Sequence, residues 1–329
     1  MKKLVAINLL AAVGVLTVFL GALELYLRWT VPSSSGGSLY TYTLATPRYK
    51  IMKANARITA WGKELTTNEL GFRDRPIGPK QPGEFRIVVL GDSFTVSAGV
   101  DFSDIYTTRL EKLLGARVIN LAVGGYNIMQ YAHVLREVGL ALEPDLVIVA
   151  LFPDNDFSNE TYEANFNVAS GRAHAEPDPA WYESFYTYRA YGRRVQTKLA
   201  SFLPSAGTVS PKMSGWEQNV AALRAIAAMT EERRIPLKVV MLPHTWHFEK
   251  QRPLFAQVQK ECAASGLTCR DLLEPFIARR VPEASLRLNP LDAHPNERYN
   301  AVIAEELAAS LKTMIPRRDV VRIHAPAAR

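Results

Sequence analysis

Two short stretches of this sequence hold the residues from which an acyl-transfer site could be assembled. Val88-Val89-Leu90-Gly91-Asp92-Ser93-Phe94 is an apolar run that passes straight into a Gly-Asp-Ser turn, and Leu291-Asp292-Ala293-His294-Pro295-Asn296 sets a carboxylate two residues before an imidazole. A serine hydroxyl is a weak nucleophile until a base takes its proton, and the base works best when a carboxylate fixes its tautomer. At the C-terminal end of a buried strand, Ser93 would sit where open α/β sheets place their ligands. Together these residue types point to chemistry through a serine ester.

The elements that must position them alternate along the chain. Strand and helix are expected in turn over Arg86–Leu90, Ile105–Leu114, Arg117–Leu121, Ile128–Val138 and Asp145–Leu151. The series resumes with Trp216–Arg233, Leu237–Leu242, Pro253–Ala264, Thr268–Leu272 and Ala301–Thr313. Strands such as Leu146-Val147-Ile148-Val149-Ala150-Leu151 show no polar alternation, so both faces must be covered. The expectation is a parallel sheet between two layers of helices. Alternation stops between residues 157 and 214, where a helix over Trp181–Leu203 carries an aromatic stripe; packing onto the sheet is weighed slightly ahead of a lid or acceptor-binding surface.

The expected organisation is a membrane helix over 1–30, a linker and extension over 31–84, a catalytic domain over 85–314 with the insertion 157–214, and a basic tail over 315–329. The run from Leu4 to Leu27 is broken only by Asn8, Thr17 and Glu24, and at 1.5 Å per residue it spans about 36 Å, enough for a hydrocarbon core of about 30 Å. No small-x-small cleavage site follows, which favours an uncleaved signal anchor over a cleaved signal peptide. Lys2 and Lys3 would keep the N-terminus cytoplasmic and place the rest on the outer, periplasmic or extracytoplasmic face of the inner membrane. Glu24 can pair with Arg28 at i+4. Of the 329 residues only Cys262 and Cys269 are cysteines; their spacing suits either a disulfide in an exported protein or two buried thiols.

Four blocks in order resemble those of the SGNH (GDSL-type) hydrolase family, from about Asn68 to Leu311. They are Gly91-Asp92-Ser93, Asn120-Leu121-Ala122-Val123-Gly124-Gly125-Tyr126, Asp154-Asn155-Asp156 and Asp292-Ala293-His294-Pro295-Asn296. The resemblance implies a three-layer α/β/α fold with a parallel, flavodoxin-like sheet behind one N-terminal transmembrane helix. It also implies Ser93 as nucleophile, His294 as base and Asp292 as its partner, with the Ser93 N–H, the Gly125 N–H and the Asn155 amide receiving the oxyanion. Many family members place the aspartate three residues before the histidine, where this chain has Leu291; the two-residue spacing is similar to membrane-associated O-acetyl-modifying branches. Asp92 is expected to bond its own turn, and Asn120 to end a strand. Asn68-Glu69-Leu70-Gly71-Phe72-Arg73-Asp74 resembles a stretch preceding the catalytic domain in anchored bacterial relatives, with a turn at Gly71 as its one evident feature.

Other chemistries find little support. His244-Thr245-Trp246-His247 lacks the glutamate and third ligand of a zinc site and reads as a loop, so no metal is expected. There is no Walker or dinucleotide glycine loop, hence no cofactor, and no Gly-x-Ser-x-Gly elbow of the α/β-hydrolase kind. The net charge of +7 is spread out and includes Arg317, Arg318, Arg322 and Arg329; no nucleic-acid motif accompanies it. The expected function is a serine esterase or acyltransferase for O-acyl, chiefly O-acetyl, groups of cell-envelope or exported polysaccharide, working beside polysaccharide-biosynthesis proteins. A lipase or thioesterase with an apolar groove along Trp181–Tyr191, and a non-catalytic scaffold, are the alternatives.

Overall fold

In the computed structural model the described residues are 2–30, 39–42, 50–158, 166–167, 172–173, 185, 187–188, 215–290 and 292–316. Helix α1 (Lys2–Thr30) contains a 26-residue stretch, Val5–Thr30, with a mean hydropathy of 2.3 and no burial against protein over its most apolar window, so it is long and apolar enough to cross a membrane. Near its C-terminal end Glu24 is buried, pairing with Arg28 Nε at 2.8 Å and accepting from the Thr187 N–H and hydroxyl at 2.8 and 3.0 Å. Two antiparallel pairs follow, β1 (Tyr40–Tyr42) with β2 (Lys50–Met52), and β3 (Arg57–Ala60) with β4 (Lys63–Thr66). Met52, Ala60, Leu65 and Phe72 are buried in the same apolar core as the main sheet, so this extension is packed into the domain that it precedes.

The order thereafter is β5 (Arg86–Leu90), α2 (Ser93–Val96), α3 (Tyr106–Leu114), β6 (Arg117–Asn120), α4 (Ile128–Val134) and β7 (Leu146–Leu151). A small pair, β8 (Phe166–Asn167) and β9 (Arg172–Ala173), precedes α5 (Trp216–Glu232), β10 (Leu237–Met241), α6 (Phe248–Ala264) and β11 (Cys269–Asp271). The chain closes with α7 (Leu273–Ala278), β12 (Arg287–Asn289), β13 (Asp292–Pro295) and α8 (Glu297–Leu311). Five strands form one parallel sheet in the spatial order β11-β10-β7-β5-β6, which is the flavodoxin-like 2-1-3-4-5 arrangement. Its switch point lies between β5 and β7. The crossover out to β6 and the crossover back to β7 run in opposite directions, and right-handed connection puts their helices on opposite faces. Accordingly α3 packs with α8, and α4 packs with α5. Both central strands are buried along their whole length, as their unbroken apolar sequences require.

Element boundaries differ from expectation where distant residues decide them. Helix α6 starts at Phe248, before Pro253, because Glu283 accepts the N–H groups of His247 and Phe248 at 2.6 and 3.1 Å and so caps it from 35 residues away. Helix α8 starts at Glu297 because the Asn296 side chain accepts the N–H groups of Arg298 and Tyr299. The helix expected over Ile128–Val138 is α-helical to Val134 and continues as a π-helical turn, Leu135–Gly139. Most of the helix expected over Trp181–Leu203, and residues 317–329 of the tail, lie outside the described residues.

Cys262, in the last turn of α6, and Cys269, the first residue of β11, form a disulfide. It staples helix to strand at the end of the sheet opposite Ser93. Replacing both cysteines by alanine should lower stability by about 2 kcal/mol, the cost of opening so short a loop, while leaving ester turnover unchanged; paired thermal melts and rate measurements on the full-length protein check both halves.

Candidate active site

Ser93 is the first residue of α2, directly beyond the C-terminal end of β5. The preceding Asp92 caps that short helix, its Oδ1 accepting the Phe94 N–H at 2.8 Å. This is the turn-bonding role expected of it. Asp292 and His294 lie two apart on β13, and in a strand positions i and i+2 share a face. The two-residue spacing therefore brings them together: Asp292 Oδ1 accepts the His294 backbone N–H at 2.9 Å and lies 2.7 Å from His294 Nδ1. Across 201 residues of sequence, His294 Nε2 lies 3.0 Å from Ser93 Oγ. A proton held on Nδ1 by the carboxylate leaves Nε2 free to accept from the serine, which is the polarity a general base needs.

Electrostatics reinforce that polarity. Burial alone would lower the His294 pKa, but the hydrogen bond and charge of Asp292, with the charge of Asp92, hold it above its ordinary value of 6.5. Burial would raise Asp292, and the bonds and charge of His294 outweigh it, so this carboxyl stays below 3.8. Asp92 is fully buried and is pushed up to about 6, chiefly by that burial.

The remaining expected residues surround the serine. Asn155 follows β7 across the switch point, and its Nδ2 reaches Asp92 Oδ2 at 3.4 Å, a long contact that leaves amide hydrogen-bonding capacity for a ligand. The neighbouring Asp156 is buried, accepting from the Phe152 N–H at 2.7 Å and the Tyr131 hydroxyl at 2.9 Å, which fixes the turn that presents Asn155. A Cβ added to Gly124 would lie 3.6 Å from Ser93 Cβ and 2.6 Å from the Tyr40 hydroxyl oxygen. The peptide joining Gly124 to Gly125, whose N–H is Gly125's, thus starts beside Ser93, and Gly125 itself has φ +79°. Asn120 ends β6, its Oδ1 accepting the Ala122 N–H at 3.0 Å. His244, for which the sequence left open both a loop position and one facing the pocket, has its ring 5.7 Å from Phe94 and stacked 4.5 Å from Trp246, while Phe94 is also 5.7 Å from His294. Among the described residues no group of three or more His, Cys, Asp or Glu side chains is placed to hold a metal ion.

Several supporting residues carry no motif of catalytic type. Arg73 is fully buried and donates to the carbonyls of Val96 (2.8 Å), Ser97 and Val100, tying down the C-terminal end of α2; burial lowers its pKa to about 10, still charged at neutral pH. It is presented by a tight bend in which Asn68 Oδ1 accepts the N–H groups of Leu70 and Phe72, with Gly71 at φ +78° pressed against the Met52 carbonyl. Asp74 then accepts the Asn120 N–H at 2.8 Å and pairs with Arg117 at 3.0 Å. Asn300 on α8 accepts from the Ser97 hydroxyl and the Tyr106 N–H at 3.1 and 2.8 Å, and the Thr245 hydroxyl donates to the Ala293 carbonyl at 2.6 Å. These contacts bind the serine-bearing and histidine-bearing segments to each other and to the sheet.

The sequence profile of the GDSL-like lipase/acylhydrolase family matches residues 89–302, about two thirds of the chain, with Ser93, Asn155, Asp292 and His294 inside it. The chain belongs to that family. No curated protein matches it. Similar solved structures include a lipase/acylhydrolase from Enterococcus faecalis (16% identity, 71% of this chain and 99% of that one, TM-score 0.41). A protein of the G-D-S-L family from Desulfitobacterium hafniense is also similar (14%, 69% and 99%, TM-score 0.40). So is a catalytic mutant of the acetylxylan esterase Axe2 from Geobacillus stearothermophilus (14%, 70% and 95%, TM-score 0.42). Membership implies esterase activity for this GDSL-like protein.

Two outcomes follow for a base of raised pKa beside a second buried carboxylate. The rate kcat/KM should rise with pH through a limb above 6.5, as His294 loses its proton. Asp92→Asn keeps the cap on Phe94 but removes one of the two charges that raise the imidazole, so the limb should move to lower pH; an upward or absent shift in pH–rate profiles would contradict the assignment. Arg73→Met should cost roughly 2–4 kcal/mol of stability, because three buried carbonyls lose their donor, and chemical denaturation of the full-length protein measures it.

Proposed function

We propose that this GDSL-like protein is a serine esterase or acyltransferase acting on O-acyl, chiefly O-acetyl, groups of cell-envelope or exported polysaccharide. The observation that carries the chemistry is the continuous chain Ser93 Oγ, His294 Nε2, His294 Nδ1, Asp292 Oδ1, with links of 3.0 and 2.7 Å. In this reading His294 takes the serine proton as Oγ attacks the acyl carbon, and the tetrahedral oxyanion is received by the Ser93 and Gly125 N–H groups and the Asn155 amide. The imidazolium, stabilised by Asp292, returns its proton to the leaving oxygen. Water or a sugar hydroxyl, deprotonated by the same imidazole, then takes the acyl group from the serine.

The substrate class is supported by location. Helix α1 serves as the anchor, with Lys2 and Lys3 on the cytoplasmic side and the domain periplasmic, and Tyr40, ten positions beyond Thr30, already lies beside Gly124 at the serine. A polymer made or modified at the membrane surface, in company with the proteins that assemble it, is within reach of such a site.

The test uses full-length protein in detergent with p-nitrophenyl acetate and an O-acetylated polysaccharide. Ser93→Ala should lose at least about a thousandfold in kcat on both. Release of acetate from the polymer favours the carbohydrate reading, and its absence alongside turnover of the small ester removes that substrate. Equal rates for wild type and variant would end the serine mechanism.

A further inference from the structure

Gly124 is not a glycine for the sake of its backbone angles, since its φ lies outside the left-handed region that Gly125 occupies. Its missing side chain is accounted for by what surrounds it. A Cβ placed on Gly124 would fall 2.6 Å from the Tyr40 hydroxyl oxygen, inside the distance that real Cβ atoms keep, and 3.6 Å from Ser93 Cβ. Tyr40 and Ser93 therefore flank one point on the backbone of the second motif block. Gly124 itself is buried, while Tyr40, Ser93 and Gly125 each keep part of their surface open, so the phenol and the serine border the same opening.

Tyr40 is held in that place by the extension. It opens β1, where its register partner on β2 is Met52, a residue buried in the core of the domain. Leu39, the residue before it, is buried as well, and its carbonyl accepts the Lys53 N–H at 2.9 Å. Lys53 is tied in turn to the end of the β3–β4 pair, its carbonyl accepting the Thr67 hydroxyl at 2.5 Å. A tyrosine has only two side-chain torsions, so on a fixed backbone it makes a stiff wall. All of these residues precede residue 89, where the family match begins. The contact on Gly124 thus comes from a part of this chain that the family profile does not cover.

We propose that Tyr40 is a specificity-determining residue of this site: its phenol walls the Gly124 side of Ser93 and confines the site to short acyl groups such as acetyl. The inference rests on the serine mechanism proposed above and narrows its acyl group. With the acyl carbon bonded to Ser93 Oγ and its oxygen turned to the Ser93, Gly125 and Asn155 donors, the remaining substituent must pass between the walls around the serine. His294 stands on one side, 3.0 Å from Oγ, and Tyr40 closes the Gly124 side. A methyl group ends one bond beyond the acyl carbon. A butyryl chain adds two methylenes, which would press on the phenol and strip its hydroxyl of water. Lost space and a desolvated hydroxyl both count against the longer chain.

The experiment uses full-length wild type, Ser93→Ala, Tyr40→Phe and Tyr40→Ala in detergent, with p-nitrophenyl acetate and p-nitrophenyl butyrate. Wild type should favour the acetate in kcat/KM. Tyr40→Ala should raise the butyrate-to-acetate ratio on the order of tenfold, the discrimination that a methylene's worth of space supplies. Tyr40→Phe, which removes the hydroxyl alone, should move it the same way by less, and it carries the same reading where Tyr40→Ala does not fold. An unchanged ratio, with turnover still lost in Ser93→Ala, overturns this inference and leaves the serine mechanism standing. Equal rates for wild type and Ser93→Ala overturn both. A ratio that moves, in a protein that releases no acetate from the polymer, retains the inference and removes only the polysaccharide. The contact is read separately by thermal melts of Gly124→Ala, Tyr40→Phe and the double variant. Without the hydroxyl, the nearest ring atom is Cζ, 3.7 Å from the added Cβ, an ordinary contact. Gly124→Ala should therefore lower Tm by several degrees on its own and by much less beside Tyr40→Phe; additive losses overturn the proposal.

Discussion

The hydrogen bond between His294 Nε2 and Ser93 Oγ joins residues 201 positions apart. Closing a loop of that length costs about 5 kcal/mol of chain entropy, against the roughly 1 kcal/mol that such a bond contributes net. The contact cannot hold itself, so both ends must be carried by structure that forms for other reasons. On the serine side that structure is β5, buried along its length, with Asp92 capping α2 from the front and Arg73 gripping its last carbonyls from behind. On the histidine side it is the β12–β13 pair and the start of α8. There Asn296 caps the helix through Oδ1 and donates through Nδ2 to the carbonyls of Ser285 and Arg287. Asn300 joins the two sides through Ser97 and Tyr106.

The same packing sets the charge around the imidazole. Asp92, Asp156 and Asp292 all approach the switch point, and three ionised carboxylates in one low-dielectric region would repel one another. They are kept apart in role by what each bonds. Asp292 has the imidazole and stays ionised, whereas burial and the charge of Asp92 push Asp156 well above the ordinary carboxyl range, beside the Tyr131 hydroxyl. Asp92 lies between these extremes at about 6. Asp292 is thus bonded to the imidazole, and Asp92 and Asp156 build the turns that present Ser93 and Asn155, with Asp92 adding its charge to the imidazole's surroundings.

The parts of this arrangement that could be read in the sequence are those with a local signature. Unbroken apolar runs gave the central strands, and the four short blocks gave the residues around Ser93. What could not be read depends on partners far along the chain. Glu283 starts a helix 35 residues away, and Arg73 closes on carbonyls 23 to 27 residues on. The segment Asn68–Asp74 showed only its turn, because a buried arginine serving backbone carbonyls leaves no periodicity and no charged partner to search for. The two-residue spacing of Asp292 and His294 became intelligible once those residues were seen to lie on a strand, where alternate side chains share a face.

The extension also limits how far Ser93 can lie from the end of α1. Only ten residue steps separate Thr30, the end of α1, from Tyr40, whose hydroxyl lies against the backbone beside Ser93. A fully extended chain spans at most about 3.5 Å per residue, so Ser93 can stand no farther than about 40 Å from the end of α1. Packing shortens that reach further, since Leu39 is buried and the β1–β2 pair that follows sends Met52 into the core of the domain. The extension therefore acts as a short strut that ends beside Ser93, with Arg73 on the helix that the serine opens. Its length limits how far Ser93 can lie from α1, and its packing keeps the site assembled at that distance.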